Sequence, residues 1–212
     1  AQALGNAVPG RSFVALVCQT VVDAADPAFA NPSKFVGQLY TKERAEQLAA
    51  ERGWAIREDG TGWRRVVPSP QPRQLVELPM VQRLVAEGIG VVCCGGGGIP
   101  VVRHDGALRG VEAVVDKDRT AALLAERLGA DVLAVLTDVA AVELGFGTPS
   151  ARPLHRVSVA DLRRESFPDG SMGPKVEATC AFVEATGAMA AIGRLEDAAA
   201  LVAGEAGTVV VG

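Results

Sequence analysis

Lysine is rare in this chain, and the positions that keep it point to a chemistry. Only four of the 21 basic residues are lysines. Three of them, Lys34, Lys117 and Lys175, stand in segments rich in loop-forming residues. A compact ammonium group on a flexible stem can follow a moving phosphoryl group, whereas the planar guanidinium of arginine fixes one geometry. These lysines favour phosphoryl transfer, and the alternative is chance in a small sample.

Four consecutive glycines follow a predicted strand at residues 89–94. They are Gly95, Gly96, Gly97 and Gly98. Glycine lets backbone N–H groups approach a ligand closely, and α/β sheets bind ligands at the carboxyl ends of their strands. The run matches neither the Walker spacing nor the dinucleotide-binding fingerprint. We predict a phosphate- or nucleotide-binding loop, and the alternative is a flexible turn without a ligand.

Asp116, Lys117 and Asp118 stand where the next helix begins. A helix N-terminus contributes partial positive charge, and Lys117 adds a full charge beside it. We expect Asp118 to keep Lys117 ionised and oriented, or to help hold a Mg²⁺ ion. The alternative is an aspartate cap with solvated neighbours, which leaves the lysine between the two carboxylates unexplained.

Two further segments carry candidate nucleotide-binding residues. Thr137 and Asp138 end a predicted strand at the same ligand-binding edge, where the alternative is a cap on the following turn. Met172 and Gly173 lie in a loop before a helix whose first turn contains Lys175. A lysine at this end opposes the helix dipole, so its presence predicts an anion that neutralises it.

Apolar runs alternate with amphipathic helices along the chain, which predicts an α/β fold with an open, mainly parallel sheet covered on both faces. The predicted strands are residues 13–22, 89–94, 132–136, 189–192 and 208–211. The predicted helices are residues 41–52, 79–87, 118–128, 174–186 and 195–203, with a short helix capped by Ser158.

Residues 34–68 interrupt this alternation. The segment holds a charged helix, both tryptophans and the single tyrosine, and it is followed by a proline-rich stretch. We predict a small protruding lid subdomain that carries Lys34, inserted into a core of residues 1–33 and 69–212. Long insertions in α/β enzymes often cover active sites, and the alternative is a surface excursion without function.

Composition excludes several classes of protein. A net charge of −4 without a basic run argues against a nucleic-acid partner, and no apolar run is long enough to cross a bilayer. The four cysteines have no repeating spacing, so we expect no disulfide framework or zinc site, and we interpret Cys93 and Cys94 as small buried thiols. A cytoplasmic location fits best. We assign no catalytic role to His104 or His155.

The whole chain resembles the carbamate kinases of the amino acid kinase family. The likeness is carried by residues 2–6, 26–29, 31–34, 62–70, 95–100, 110–118 and 170–178. This resemblance implies a three-layer α/β/α sandwich, a homodimer, and Mg²⁺-dependent transfer of phosphate between ATP and carbamate. In the family the reaction usually runs from carbamoyl phosphate and ADP toward ATP and closes fermentative arginine breakdown.

The resemblance also implies roles for individual residues. Lys34, Lys117 and Lys175 match the family's charge-stabilising lysines, and Asp118 matches its organising aspartate. Thr137 and Asp138 together match the strand-end nucleotide contact. The same residues were selected by their chemistry alone.

Two departures from the family's pattern keep alternatives open. The family's Gly-Gly-Asn phosphate loop and His-Gly-Asn-Gly-Pro acceptor loop are not found in these 212 residues, so we expect the chain alone to be inactive. Ala140, Glu143 and Gly145 replace residues that the family usually has near the adenine, which predicts altered nucleotide preference. The alternatives are a non-catalytic remnant that keeps the fold, nucleotide side and dimer surface, or another amino acid kinase.

Overall fold

The computed structural model describes residues 1–167 and 171–212. They form an α/β fold, which confirms the predicted class, and divide into two compact units. Unit 1 consists of Ala1–Glu77 and Gly90–Asp116, and unit 2 consists of Leu78–Ile89 and Lys117–Gly212. No helix in the part of the chain so described is long and apolar enough to span a membrane.

Unit 1 contains two α-helices and nine strands among its described residues. The helices are α1 (Gln2–Ala7) and α2 (Lys42–Arg52). The strands are β1 (Phe13–Ala15), β2 (Gln19–Val22), β3 (Lys34–Tyr40), β4 (Ala55–Asp59), β5 (Gly62–Val67), β6 (Pro72–Leu75), β7 (Gly90–Val92), β8 (Ile99–His104) and β9 (Ala107–Gly110). They pair as β1-β7, as β6-β2-β8-β9 and as β3-β5-β4.

The prediction of one strand over residues 13–22 is wrong. β1 pairs with β7 and β2 pairs with β6 and β8, so the apolar run changes sheets at residues 16–18. Val17 in this link is 79% exposed. Hydrophobicity alone does not mark such a change because both strands are apolar.

The segment predicted as a lid forms a three-stranded antiparallel sheet, β3-β5-β4, on which α2 packs. Thr41 caps α2 by accepting a hydrogen bond from the Arg44 N–H, and the helix ends at Gly53 in the left-handed conformation. Ala45 and Leu48 are the buried residues of α2. Its movement as a lid stays a prediction.

Unit 2 contains five α-helices and six strands among its described residues. The helices are α3 (Leu78–Ala86), α4 (Lys117–Leu128), α5 (Val159–Leu162), α6 (Met172–Thr186) and α7 (Ala198–Ala203). The strands are β10 (Val132–Thr137), β11 (Val142–Leu144), β12 (Arg152–Leu154), β13 (Arg156–Ser158), β14 (Met189–Arg194) and β15 (Thr208–Val211). Four strands form a sheet in the order β10-β14-β15-β13, and β11 pairs with β12.

Pairing is mixed, where a mainly parallel sheet was predicted. β10 is parallel to β14 and β13 is parallel to β15, but β14 and β15 run antiparallel. The expectation of burial on both faces holds for β14, in which four consecutive residues are buried. Helix α6 packs on this sheet and on α4, with Phe182 and Cys180 fully enclosed. The α4–α6 packing brings the amino-terminal residues of the two helices together.

Candidate functional site

Asp118 lies at the centre of a cluster of charged side chains in unit 2, formed with Lys117 and Lys175. Its Oδ2 atom lies 3.4 Å from Nζ of Lys117 and 3.0 Å from Nζ of Lys175. The Asp118 and Lys175 side chains are only 10% and 12% exposed, whereas that of Lys117 is 57% exposed. Two predicted lysines and the predicted aspartate are therefore brought together at one carboxylate.

The two helices explain this meeting. Lys117 is the first residue of α4, and Lys175 lies in the first turn of α6. Arg119 and Glu177, two residues further along each helix, form a second link between the helices, with an Arg119 Nη2 to Glu177 Oε2 distance of 2.7 Å. Both helix N-termini add partial positive charge near the lysines. This end of α4 and α6 is suited to an anion.

Lys34 forms a separate ion pair in unit 1. Its Nζ lies 2.6 Å from Oδ2 of Asp116, whose side chain is 5% exposed. Lys34 is the first residue of β3 and pairs with Val67 of β5. The prediction that Lys34 lies in a loop is therefore wrong, because it begins a strand. Asp116 was not among the predicted site residues. A buried carboxylate requires a partner, but the sequence does not show which residue supplies it.

The four consecutive glycines of unit 1, Gly95 to Gly98, have different environments. Gly97 and Gly98 have φ values of +104° and +83°, and a Cβ atom would overlap the Val115 carbonyl oxygen at Gly97 and the Thr20 hydroxyl at Gly98. The Gly97 N–H donates to the Cys94 carbonyl at 2.8 Å, so this amide closes a turn. Gly95 and Gly96 are exposed. They are the two positions of the predicted loop that a ligand can reach most easily.

Thr137 and Asp138 line a cavity of about 780 Å³ in unit 2. The cavity is lined by Leu136, Thr137, Asp138, Arg194, Leu195, Glu196 and Asp197. Thr137 donates to Asp138 Oδ1 at 3.1 Å. Sequence reasoning missed Arg194, Glu196 and Asp197. They could have been found because Thr137 pairs with Arg194 in parallel strands, whose carboxyl ends meet at one edge.

Met172 and Gly173, also predicted to bind nucleotide, are the first two residues of α6 and not loop residues. Gly170 of the same motif lies outside the described residues. Glu143 is in β11 opposite Pro153, and Gly145 has a φ of +67°. His104 is an exposed residue whose Nδ1 contacts its neighbour Asp105.

Three of the four cysteines lie close together, and of the pair interpreted as buried thiols Cys94 is buried while Cys93 is half-buried. Cys18, Cys93 and Cys94 lie together in unit 1, with their Sγ atoms all within 4.8 Å of one another, and Cys180 is buried in unit 2. Hydrogen bonding with Cys94 lowers the pKa of the Cys93 thiol to about 7. The same hydrogen bond, with burial, raises the pKa of Cys94. The irregular spacing in sequence gave no signal for this cluster.

Comparison with known proteins assigns the family. The model of the amino acid kinase family matches residues 26–193. The chain belongs to the amino acid kinase family. A carbamate kinase of Rhizobium meliloti is 48% identical over 99% of this chain and 66% of its own length, and one of Pyrococcus furiosus is 46% identical over 98% and 69%.

Solved structures agree with this assignment. A carbamate kinase from Giardia lamblia bound to AMP-PNP is 40% identical and superposes with a TM-score of 0.89, covering 99% of this chain and 70% of that protein. The resemblance to carbamate kinases and the amino acid kinase fold are thereby confirmed. The chain spans about two thirds of the length of the curated relatives that it matches.

Proposed function

We propose that this chain carries phosphoryl-transfer residues of a carbamate kinase, which interconverts ATP and carbamate with ADP and carbamoyl phosphate. The observation that supports this most directly is the Asp118 carboxylate, which contacts the ammonium groups of both Lys117 and Lys175. The identity of 46–48% to carbamate kinases supports the choice of substrates.

The proposed roles follow from charge. Two ammonium groups and one carboxylate carry one net positive charge, and both ammonium groups start from helix N-termini. Phosphoryl transfer is catalysed mainly by positioning and by stabilising charge on the transferred group. We assign that stabilisation to Lys117 and Lys175, and we assign their orientation to Asp118. Lys34, held by Asp116, is the third proposed charge-stabilising lysine.

We assign the nucleotide to the cavity at the ends of β10 and β14. Asp138, Glu196 and Asp197 offer carboxylates that can accept hydrogen bonds from hydroxyl or amino groups, and Arg194 offers a guanidinium for an anionic group. Met172 and Gly173, at the N-terminus of α6, are proposed phosphate contacts. The exposed amides of Gly95 and Gly96 are further candidates for contact with phosphate.

Mg²⁺ is proposed to enter with the nucleotide. Within residues 1–167 and 171–212, the one group of three or more side chains placed to hold a metal consists of thiols, which do not suit magnesium. Magnesium usually keeps several waters and binds through substrate phosphates with one or two carboxylates. Asp118 would hold it here, and the ion would neutralise charge on the phosphates. We also propose a cytoplasmic homodimer that serves arginine breakdown, in line with the family resemblance.

Lysine substitutions in the complete natural protein test the proposed function. Lys117→Ala and Lys175→Ala should each lower the turnover of ADP phosphorylation by carbamoyl phosphate by about a hundredfold, the usual cost of one charge-stabilising donor. Lys42→Ala is the matched control, because Lys42 is 58% exposed and contacts Glu46 and the Trp63 ring. Undiminished turnover in both active-site variants would refute the assignment.

A further inference from the structure

The three thiols of unit 1 meet because of the way two strands pair. Cys18 follows β1 by three residues, and Cys93 directly follows β7. β1 and β7 are parallel, and the Leu16 N–H continues their ladder to the Val92 carbonyl at 2.9 Å. The carboxyl ends of the two strands therefore lie side by side, and residues far apart in sequence place their sulfur atoms within 4.8 Å.

The backbone of Cys94 has an unusual conformation, and this conformation bears on how the three thiols come together. Neighbouring side chains in an extended strand point to opposite faces, so Cys93 and Cys94 would ordinarily be turned apart. Cys94 has a φ of +56°, and Asp105 is the only other non-glycine residue of the described chain with a positive value. Residues with a side chain adopt this region at a cost, and such residues concentrate at functional sites. Here the conformation accompanies two adjacent thiols on one side of the chain.

The spacing of the sulfur atoms fits metal ligation. A metal–sulfur bond of about 2.3 Å in a tetrahedral site places its sulfur ligands about 3.8 Å apart. Atoms already within 4.8 Å need to approach by no more than about 1 Å to share one ion. A disulfide would use two of the sulfurs and leave the third aside, whereas one metal ion uses all three.

The three sulfur donors and the burial of their side chains limit which metal ions this cluster can bind. Three sulfur donors select soft, thiophilic ions and discriminate against magnesium and calcium. Cys18 and Cys94 are 5% and 9% exposed, while Cys93 is half-buried and provides an entry path. We propose that Cys18, Cys93 and Cys94 bind one soft d¹⁰ metal ion, of the class of Zn²⁺ and Cu⁺.

Such an ion would link the two chain segments whose carbonyl groups hold the glycine loop, which we define as Gly95 to Gly98. The Cys94 carbonyl accepts from the Gly97 N–H, and the Cys18 carbonyl accepts from the Ile99 N–H, each at 2.8 Å. Holding both cysteines at one ion restrains both acceptors. Metal binding should therefore slow hydrogen exchange at Gly97 and Ile99, whether or not the protein transfers phosphate.

Titration of the reduced chain with Cd²⁺, a soft d¹⁰ probe, tests the site. We expect one Cd²⁺ per chain, a thiolate-to-metal charge-transfer band, and at least about tenfold slower exchange at the two amides, since ligation restrains local opening. Cys93→Ser should lower the intensity of the band and weaken Cd²⁺ binding, because it removes one of the three thiolate ligands. The matched control is Cys180→Ser, which removes the cysteine of unit 2 and should leave the band unchanged. Excess Mg²⁺ should leave it unchanged as well.

Several results would overturn the proposal. They are a titration without a band, a band of unchanged intensity in Cys93→Ser, and a band weakened equally in Cys180→Ser. If Cys93→Ser loses its native circular dichroism spectrum, Cys18→Ala replaces it, and a band of unchanged intensity there has the same meaning. Because Cd²⁺ binding needs no nucleotide, its failure would leave the proposed kinase function untouched.

Discussion

Substitution of Asp118 is the most direct test of how the cluster of Asp118, Lys117 and Lys175 is stabilised. Asp118→Asn keeps the shape of the side chain and one hydrogen-bonding oxygen but removes the negative charge. The Asp118 Oδ2 to Lys175 Nζ distance is 3.0 Å, and both side chains are nearly buried. The substitution therefore leaves the Lys175 ammonium group enclosed without its counter-charge.

The expected loss in the free energy of unfolding follows from the distance between Asp118 and Lys175 and from the burial of both side chains. Two unit charges 3.0 Å apart attract by about 5.5 kcal/mol at an effective dielectric constant of about 20, and part of this is offset by their desolvation. Removal of one partner of a buried pair usually costs about 3–5 kcal/mol. We expect about 3 kcal/mol here, because Lys117, the second partner, is largely exposed and adds little.

Urea unfolding followed by far-ultraviolet circular dichroism measures this cost. Glu184→Gln is the control in the same unit, since the Arg163–Glu184 pair is half-exposed and its loss should cost less than about 1 kcal/mol. Lys175→Met should also destabilise, and the double variant should lose less than the sum of the two single losses by more than about 1 kcal/mol. Strict additivity, or a loss in Asp118→Asn no larger than in the control, would refute the assigned pairing.

Two further predictions concern local structure. Gly97→Ala should lower the free energy of unfolding by about 2 kcal/mol or more, because its φ is +104° and its Cβ would overlap the Val115 carbonyl, whereas Gly96→Ala should be nearly neutral in the same urea titration. A pH series tests Glu184, whose pKa is lowered from the ordinary value of 4.5 mainly by hydrogen bonding to Arg163. A lowered pKa in the folded state means that the carboxylate stabilises the fold above pH 4.5 and that this contribution disappears as pH falls through the folded value. The stability difference between Glu184→Gln and the original chain should therefore shrink as pH falls below 4.5, and a difference that grows would show that the sign is wrong.

Six of the seven described α-helices and three of the six described unit 2 strands, β10, β14 and β15, could be predicted because their signals are local, whereas α1, β11, β12 and β13 were not predicted. The helix predicted at residues 118–128 is α4 (Lys117–Leu128), and the strand predicted at residues 208–211 is β15. Ser158 caps α5 as expected by accepting from the Asp161 N–H. Each of these rests on a cap, a terminal glycine or an apolar run within a few residues. The positions of Lys117 and Lys175 near helix starts were predicted from the same local signals, whereas their meeting at Asp118 depends on the packing of α4 on α6.

Features that depend on strand partners could not be predicted. The apolar run at residues 13–22 gave no sign that β1 and β2 join different sheets. The same missing information hid the Lys34–Asp116 pair, which joins residues 82 positions apart, and the cluster of Cys18 with Cys93 and Cys94. Composition and periodicity report how deeply a residue is buried. They do not report which distant segment is buried beside it.

The glycine loop separates what the fold requires from what a ligand would require. Gly97 and Gly98 are required by the fold, since each has a positive φ and no room for a Cβ atom. At Gly95 and Gly96 a Cβ would meet no described atom within 4 Å, and neither has a positive φ. Stability therefore gives no reason for glycine at these two positions. Close approach of a phosphate group to the backbone would give such a reason. A Gly96→Ala chain that keeps its stability but loses affinity for nucleotide would therefore place the ligand at this loop. Unchanged affinity would remove the loop from the proposed site.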